Sequence, residues 1–364
     1  DIFTVQFDYE INDIWSFSAI TAYSDSDYGY LWDGDTTAKP ESTLDYTRSD
    51  ITFSEEIRLV YQYDDFSGVF GAYYSDLEVD GIQQGQRSLD LVQLGVPTLL
   101  VSPQEYGGLG LPQDYANYIL SLYQDANPLK LGTMNDAYQK VTNRALFFDA
   151  TYSFNEQWEL IAGLRWDREE QENKADTLYS IDNAAQLPNP ATDGLDPTTA
   201  MIVTGMNAKL AKMALDASGT EPLVGDTFNA FLPKLGISYH WSDDITTSFI
   251  AQKGYRSGGV GTNVAKSTSH TYDPEYTKNY ELSFRSVWLD GSLSFNANVF
   301  YVDWQDQQIK VQLSTNQYDT ETKNAGSSTV KGFETELFYQ PTNEWSIYAG
   351  VGKSLTNFDE FKVV

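Results

Sequence analysis

The stretch Gly291-Ser-Leu-Ser-Phe-Asn-Ala-Asn-Val299 decides the fold. Leu293, Phe295, Ala297 and Val299 alternate with Ser294, Asn296 and Asn298, directly after the two-residue turn Asp290-Gly291. Successive side chains of a strand point to opposite faces, so this strand has one apolar and one polar face. The pattern returns in Trp345-Ser-Ile-Tyr-Ala-Gly-Val351, after Pro341-Thr-Asn343. Ribbons that are greasy on one face and wet on the other fit an all-β, transmembrane antiparallel β-barrel of the outer-membrane kind.

Working outward gives twelve strand candidates in six pairs, each closed by a short turn. Residues 2–9 pair with 14–23, 51–61 with 66–79, and 141–154 with 157–169. Farther on, 227–241 pair with 245–256, 276–289 with 292–304, and 330–340 with 344–355. Asp, Asn, Gly and Pro supply the turns. The other connections are long, about 24–50, 80–140, 170–226, 257–275 and 305–329. Short turns alternating with long connections match periplasmic turns and extracellular loops, an arrangement soluble sandwiches and propellers do not favour. Trp15, Trp158, Trp241, Trp288 and Trp345 all lie beside a short turn, where an aromatic girdle would sit at the membrane–water boundary.

The faces follow from the alternation. Leu235, Ile237, Tyr239 and Trp241 are expected to face lipid, and Lys234, Gly236, Ser238 and His240 the lumen. On the neighbouring hairpin Trp158, Leu160, Ala162, Leu164 and Trp166 face out, while Glu159, Gly163, Arg165 and Asp167 face in. Two long loops carry helical spacing. Residues 112–124 place Tyr115, Tyr118, Ile119 and Leu122 on one side, and 198–217 do the same with Met201, Ile202, Met206, Leu210, Met213 and Leu215, with Thr198 or Thr199 as cap. Such helices either stabilise the loops or form a recognition surface or lid.

Composition narrows the function. With 23 Lys and Arg against 52 Asp and Glu the net charge is −29, which leaves no basic footprint for nucleic acid. The acidic excess keeps long loops solvated, and loop carboxylates suit divalent cations at a lipopolysaccharide surface. The absence of cysteine removes disulfides, thiolate metal sites and cysteine nucleophiles. No apolar run reaches helical membrane length; the best, Leu91 to Val101, is interrupted by Gln93, Gly95 and Pro97. No leader peptide is visible, so the chain is read as processed or as a piece of something longer. The only histidines, His240 and His270, stand in no metal-ligand spacing, and there is no nucleophile elbow or P-loop. No catalytic residue, metal site or cofactor is expected. Glu55-Glu56 and Glu169-Glu170 read as solvated or paired charges.

Several segments resemble the barrel of TonB-dependent outer-membrane receptors. They are Phe53-Ser-Glu-Glu-Ile-Arg-Leu59, Ile161-Ala-Gly-Leu-Arg-Trp166, Phe231-Leu-Pro-Lys-Leu-Gly-Ile-Ser-Tyr239 and Gly254-Tyr-Arg-Ser-Gly-Gly259. Tyr280-Glu-Leu-Ser-Phe-Arg285, Asn298-Val-Phe-Tyr-Val-Asp-Trp304 with Gln307, and Asn324 followed by Lys331-Gly-Phe-Glu-Thr-Glu336 complete the set. Their order and spacing run along nearly the whole chain. The resemblance implies a 22-stranded barrel around an amino-terminal plug. It also implies uptake of a scarce bulky ligand such as a ferric siderophore, coupled through the plug to the TonB–ExbB–ExbD system, in the bacterial outer membrane. Plug, TonB box and an aromatic-ended final strand are not seen. The chain is therefore read as a partial barrel domain over 1–364, because an open twelve-stranded sheet leaves edges that hydrocarbon does not tolerate.

Position nominates Gln252, Tyr255, Arg256 and His270 for ligand binding. An Arg there suits an anionic chelate and an aromatic suits catecholate rings. By resemblance Glu281, Glu334 and Glu336 would contact the plug; the plainer alternative pairs them with Arg285 or Lys331. A small passive porin stands as an alternative reading, and an outer-membrane enzyme or adhesin as a third.

Overall fold

The computed structural model describes residues 1–33, 42–316 and 318–361. Twelve antiparallel strands form one sheet in which neighbours in sequence are neighbours in space. Its first half is β1 (Ile2–Glu10), β2 (Trp15–Asp33), β3 (Thr43–Tyr63), β4 (Phe66–Leu89), β5 (Leu129–Ser153) and β6 (Trp158–Ile181). Then come β7 (Gly219–Ser242) and β8 (Ile245–Arg256). A separate hairpin, β9 (Gly259–Asn263) and β10 (Thr268–Tyr272), interrupts the order. The sheet resumes at β11 (Glu275–Trp288) and continues through β12 (Leu293–Gln312), β13 (Thr320–Thr342) and β14 (Trp345–Phe361). All six expected hairpins are present.

The strands run much farther than the alternation suggested. Each of the expected loops 24–50, 80–140, 170–226 and 305–329 is strand at both ends, and 257–275 holds the β9–β10 hairpin. Residues 34–41 and 317 of those loops lie outside the described residues. Lipid explains the discrepancy. On the outward face of β6 the apolar run Trp158, Leu160, Ala162, Leu164, Trp166 ends at Arg168, which pairs with Glu170 at 2.9 Å. Arg144 on β5 reaches the same Glu170 at 3.2 Å. On β4 and β5 the change comes at Asp76 and Lys140, 3.2 Å apart, and on β11 and β12 at Lys278 and Asp303. The apolar band is thus about nine residues tall, the length that crosses the hydrocarbon. Beyond it the wall stands in water and needs no apolar period, so sequence patterning stops where the strand does not.

At the other end, the tryptophans sit at the strand ends beside the short turns. Trp15 packs on Tyr61 with ring centroids 4.7 Å apart, and Tyr239 lies between Trp158 and Trp241 at 4.6 and 4.7 Å. Trp241 is 65% exposed and its indole N–H donates to Thr247. At the turn after β11, Leu289, Asp290 and Gly291 all take positive φ, which the Asp-Gly pair tolerates. Among the described residues, β1 and β14 each keep one edge without a strand partner.

The molecule's hydrophobic core lies outside the band. It is built by α1 (Val96–Val101), α2 (Gln113–Leu122) and α3 (Pro197–Asp216). Leu100, Ile119, Tyr123 and Val203 are fully enclosed there, with Met206 and Leu210 beside them. The two helical loops therefore pack on each other as one module. The cap of α3 is Asp196, not Thr198 or Thr199: its carboxylate accepts from the backbone N–H groups of both, and Pro197 fills the first turn. The Thr199 hydroxyl and then these N–H groups hold the Asp196 carboxyl below its ordinary range. A depressed carboxyl contributes stability above its unfolded value and loses it as pH falls through the folded one. Asp196→Ala is expected to speed amide exchange at residues 198–200 near neutral pH and to abolish the acid dependence of that exchange. Unchanged rates would remove the carboxylate from the role of cap.

Candidate functional site

The inner face is polar and largely charge-compensated. Arg165 on β6 forms a two-pronged pair with buried Asp167, at 2.5 and 2.8 Å, and lies 5.7 and 5.9 Å from the rings of Phe147 and Tyr73. Arg48 pairs with Asp50 at 2.5 Å and Arg58 with Glu56. In all three the partner is two residues away on the same strand, and therefore on the same face. Lys234 pairs with Asp149, and His240 lies 3.2 Å from Glu159, as the inward assignment of these positions requires.

Higher on the wall, the segments that carry the family resemblance converge. Ser257, in Gly254-Tyr-Arg-Ser-Gly-Gly259, donates to Glu169, and Gln171 donates to the Ser257 hydroxyl and the Gly258 carbonyl. Gln308 donates to the carbonyls of Ser257 and Asp273. Asn324 donates to the carbonyls of Asp273 and Asp306 and accepts from the Asp273 N–H. A break in register between Trp304 and Gln307, with Asp306 at φ 56°, aims Gln307 at Ser328 and frees Gln308 for this junction. Gln171, Glu275 and Gln308 were not singled out from the sequence, and Glu169 was read there as a solvated or paired charge. The ends of the motifs were the available signal, but their meeting depends on a loop returning inward.

Of the residues nominated for ligand binding, Tyr255 and Arg256 adjoin this junction and Gln252 and His270 do not. Arg256 Nε donates to Glu275 at 2.8 Å; Glu275 is 4% exposed and the Arg256 side chain 61%. Tyr255 stacks on Tyr276 at 6.3 Å and sits in the field of Arg165, Asp167 and Glu169. Gln252 pairs in register with Lys234 on one side and Asn279 on the other. His270 stands apart on β10, where its Nε2 accepts from the Thr322 N–H at 2.9 Å. The three glutamates share the polar face lower down: register places Glu334 beside Asn298, and Glu336 in a row with Asn296 and Arg285. Glu281 lies beside Phe300, opposite Gly332 on β13. Lys331 is an odd number of residues from Glu334 and points to the other face, so it is not their partner.

The β9–β10 hairpin lies against the inner side of β6 and β7 and reaches β13. Asn173 on β6 donates to the Val260 carbonyl. Buried Glu221 on β7 accepts from Thr262 and Ser269, one on each strand of the hairpin. At the tip, Asp319 accepts from Asn263 at 2.8 Å and pairs with Lys266 at 2.9 Å. Burial alone would raise the Asp319 carboxyl, but the hydrogen bonds from Asn263 and Lys266 outweigh it and hold the group below its ordinary range. Val260, Thr262 and Glu221 close one side of a cleft of about 280 Å³ whose other walls include Tyr46, Arg48 and Gln139. Among the described residues no three His, Cys, Asp or Glu side chains are grouped to hold a metal ion. The arrangement offers hydrogen bonds, ring faces and guanidinium edges to a bulky polar ligand, and sets up no nucleophile.

Comparison with known proteins agrees with this geometry. The family model "TonB dependent receptor-like, beta-barrel" matches residues 1–362. A 92-residue stretch, 25% of this chain and 12% of the relative, is 27% identical to the "Probable TonB-dependent siderophore receptor PiuA" of Acinetobacter baumannii. The ferric yersiniabactin uptake receptor FyuA of Yersinia pestis superposes with a TM-score of 0.66 at 14% identity, over 98% of this chain and 43% of that one. The copper transporter OprC gives 0.62 at 14% identity, over 99% and 46%. The chain thus spans less than half the length of these relatives.

Proposed function

The chain belongs to the family of TonB-dependent receptor-like β-barrels, and from that premise we propose that it forms part of the wall of a receptor that actively takes up a scarce, bulky ligand across the bacterial outer membrane. The ligand class proposed is a ferric siderophore, with TonB–ExbB–ExbD supplying the energy through a plug held inside the barrel. The observation that carries the reading is the wall itself. A nine-residue apolar band continues into tall water-facing strands whose inner side is lined by paired arginines, tyrosines and carboxamides.

Chelated iron fits this chain better than a bare soft metal ion. Copper favours thiolate, thioether and imidazole donors. The sequence has no cysteine; its four methionines are Met134 on β5 and Met201, Met206 and Met213 along α3, with Met206 buried in the helical core; and each of its two histidines is engaged, His240 with Thr246 and Glu159 and His270 with Thr322. In the proposed complex Arg256, with one of its five donors given to Glu275, offers the rest to an anionic chelate. Tyr255 and Gln252 contact the ligand from the same strand end, and the plug rests on Glu281, Glu334 and Glu336. The loops on the side away from the tryptophan-flanked turns face the cell exterior.

The test is uptake of radioactive iron from a panel of ferric siderophores by cells whose only receptor carries this barrel. Saturable uptake of one chelate, lost without TonB and weakened by Tyr255→Ala, is expected. Uptake that rises linearly with concentration and ignores TonB would replace this reading with a passive porin.

A further inference from the structure

The β9–β10 hairpin is not part of the sheet, yet it is fastened to β7 by Glu221, to β13 by His270, and at its tip by Asp319 just before β13. We propose that this hairpin is an acid-released strap across the interior, with His270 as the catch on β13. The reasoning starts from the ring nitrogens. Nε2 accepts the Thr322 N–H, so in the neutral ring the proton resides on Nδ1. Nδ1 is enclosed and has no partner among the described residues. A second proton must go to Nε2, where it meets the Thr322 N–H donor against donor, and the catch fails.

The surroundings set the pH at which this happens. Burial lowers the His270 pKa; Glu321 on β13 and Glu221 on β7 oppose that, and Lys323 on β13 adds to it. Tyr272, on the same strand, is 6.4 Å away ring to ring. With the folded value depressed, the catch holds at and above the ordinary histidine range and opens as pH falls below it. The tip behaves differently, because Asp319 stays ionised under the same mild acid and keeps Asn263 and Lys266. Protonation therefore frees β10 from β13 while the tip remains anchored. The strap stays held to β7 by Glu221 and at its tip by Asp319, so that its β13 edge alone opens.

Amide hydrogen exchange on the receptor in nanodiscs tests this. Between about pH 7.5 and about pH 5, after correction for intrinsic chemistry, exchange at Thr322 and over 268–272 should accelerate by about tenfold, the loss of one buried hydrogen bond, while the Asp319 contacts keep the tip protected. His270→Gln, whose carbonyl can accept from Thr322 without titrating, should remove the response. A response that survives in the variant, or none in the native protein, overturns the proposal. Imidazole nitrogen shifts supply a reading that needs no variant: at neutral pH, His270 should be the Nδ1-protonated tautomer, and the Nε2-protonated form would rule the catch out.

Discussion

Placing arginine at Phe295 is expected to destabilise the folded barrel by about 1–2 kcal/mol, the cost between midplane and interface, whereas arginine at Asn296 should cost little. The two positions are adjacent in β12 and differ in what they face. Phe295 lies in the outward apolar row, with Phe284 of β11 6.3 Å away and Leu337 of β13 opposite. A guanidinium there must sit on the apolar face, two residues above the Trp288–Leu293 level and eight below the Lys278–Asp303 level. Asn296 is in register with Arg285 on one side and Glu336 on the other, on the polar face. A new arginine there meets water and a carboxylate. Urea unfolding in lipid vesicles measures both; equal losses would mean that the sheet's faces have been assigned wrongly.

The second large effect is local. Tyr123→Ala should loosen the helical module by about 3–5 kcal/mol and leave the membrane band intact. Tyr123 is completely enclosed between α2 and α3, and its hydroxyl donates to the Asn207 side chain at 2.9 Å and approaches the Val203 carbonyl at 3.3 Å. Burial pushes its phenol pKa up, as expected of a group shut away from water. Truncation empties the largest fully enclosed side-chain volume among the described residues and strands its polar partners. Amide protection should fall in α1, α2 and α3 together and persist in β5 and β6 across the band. Loss of protection in the band as well would show that the module and the barrel fold as one unit.

Much of the sheet was legible because lipid writes a period-two code into sequence. Each hairpin appears where alternation met a short turn, and inward Lys234, Arg165 and Asp167 are where parity puts them. The code ends at Arg168, Arg144 and Asp76, and so did the expected strands, although the backbone ladder continues to Ile181, Leu129 and Leu89. Two signals were present and passed over. Asp196-Pro197 is a cap followed by a first-turn proline, and Thr268-Ser-His-Thr-Tyr272 is a short β-prone run in a loop. The gathering of Ser257, Gln308 and Asn324 was not readable, since it depends on the register break before Gln307 and on the strap folding back to the wall.

Three arginines of the inner wall carry their own counterions. Arg48 with Asp50, Arg58 with Glu56 and Arg165 with Asp167 are each self-contained on one rib. Neighbouring ribs can therefore slide, splay or curve relative to one another without any of these pairs changing partner. Charge balance at these three arginines is a property of each stave, whereas Lys234 and Arg256 take their carboxylates from another strand, so only the latter pairs feel how tightly the cask is drawn.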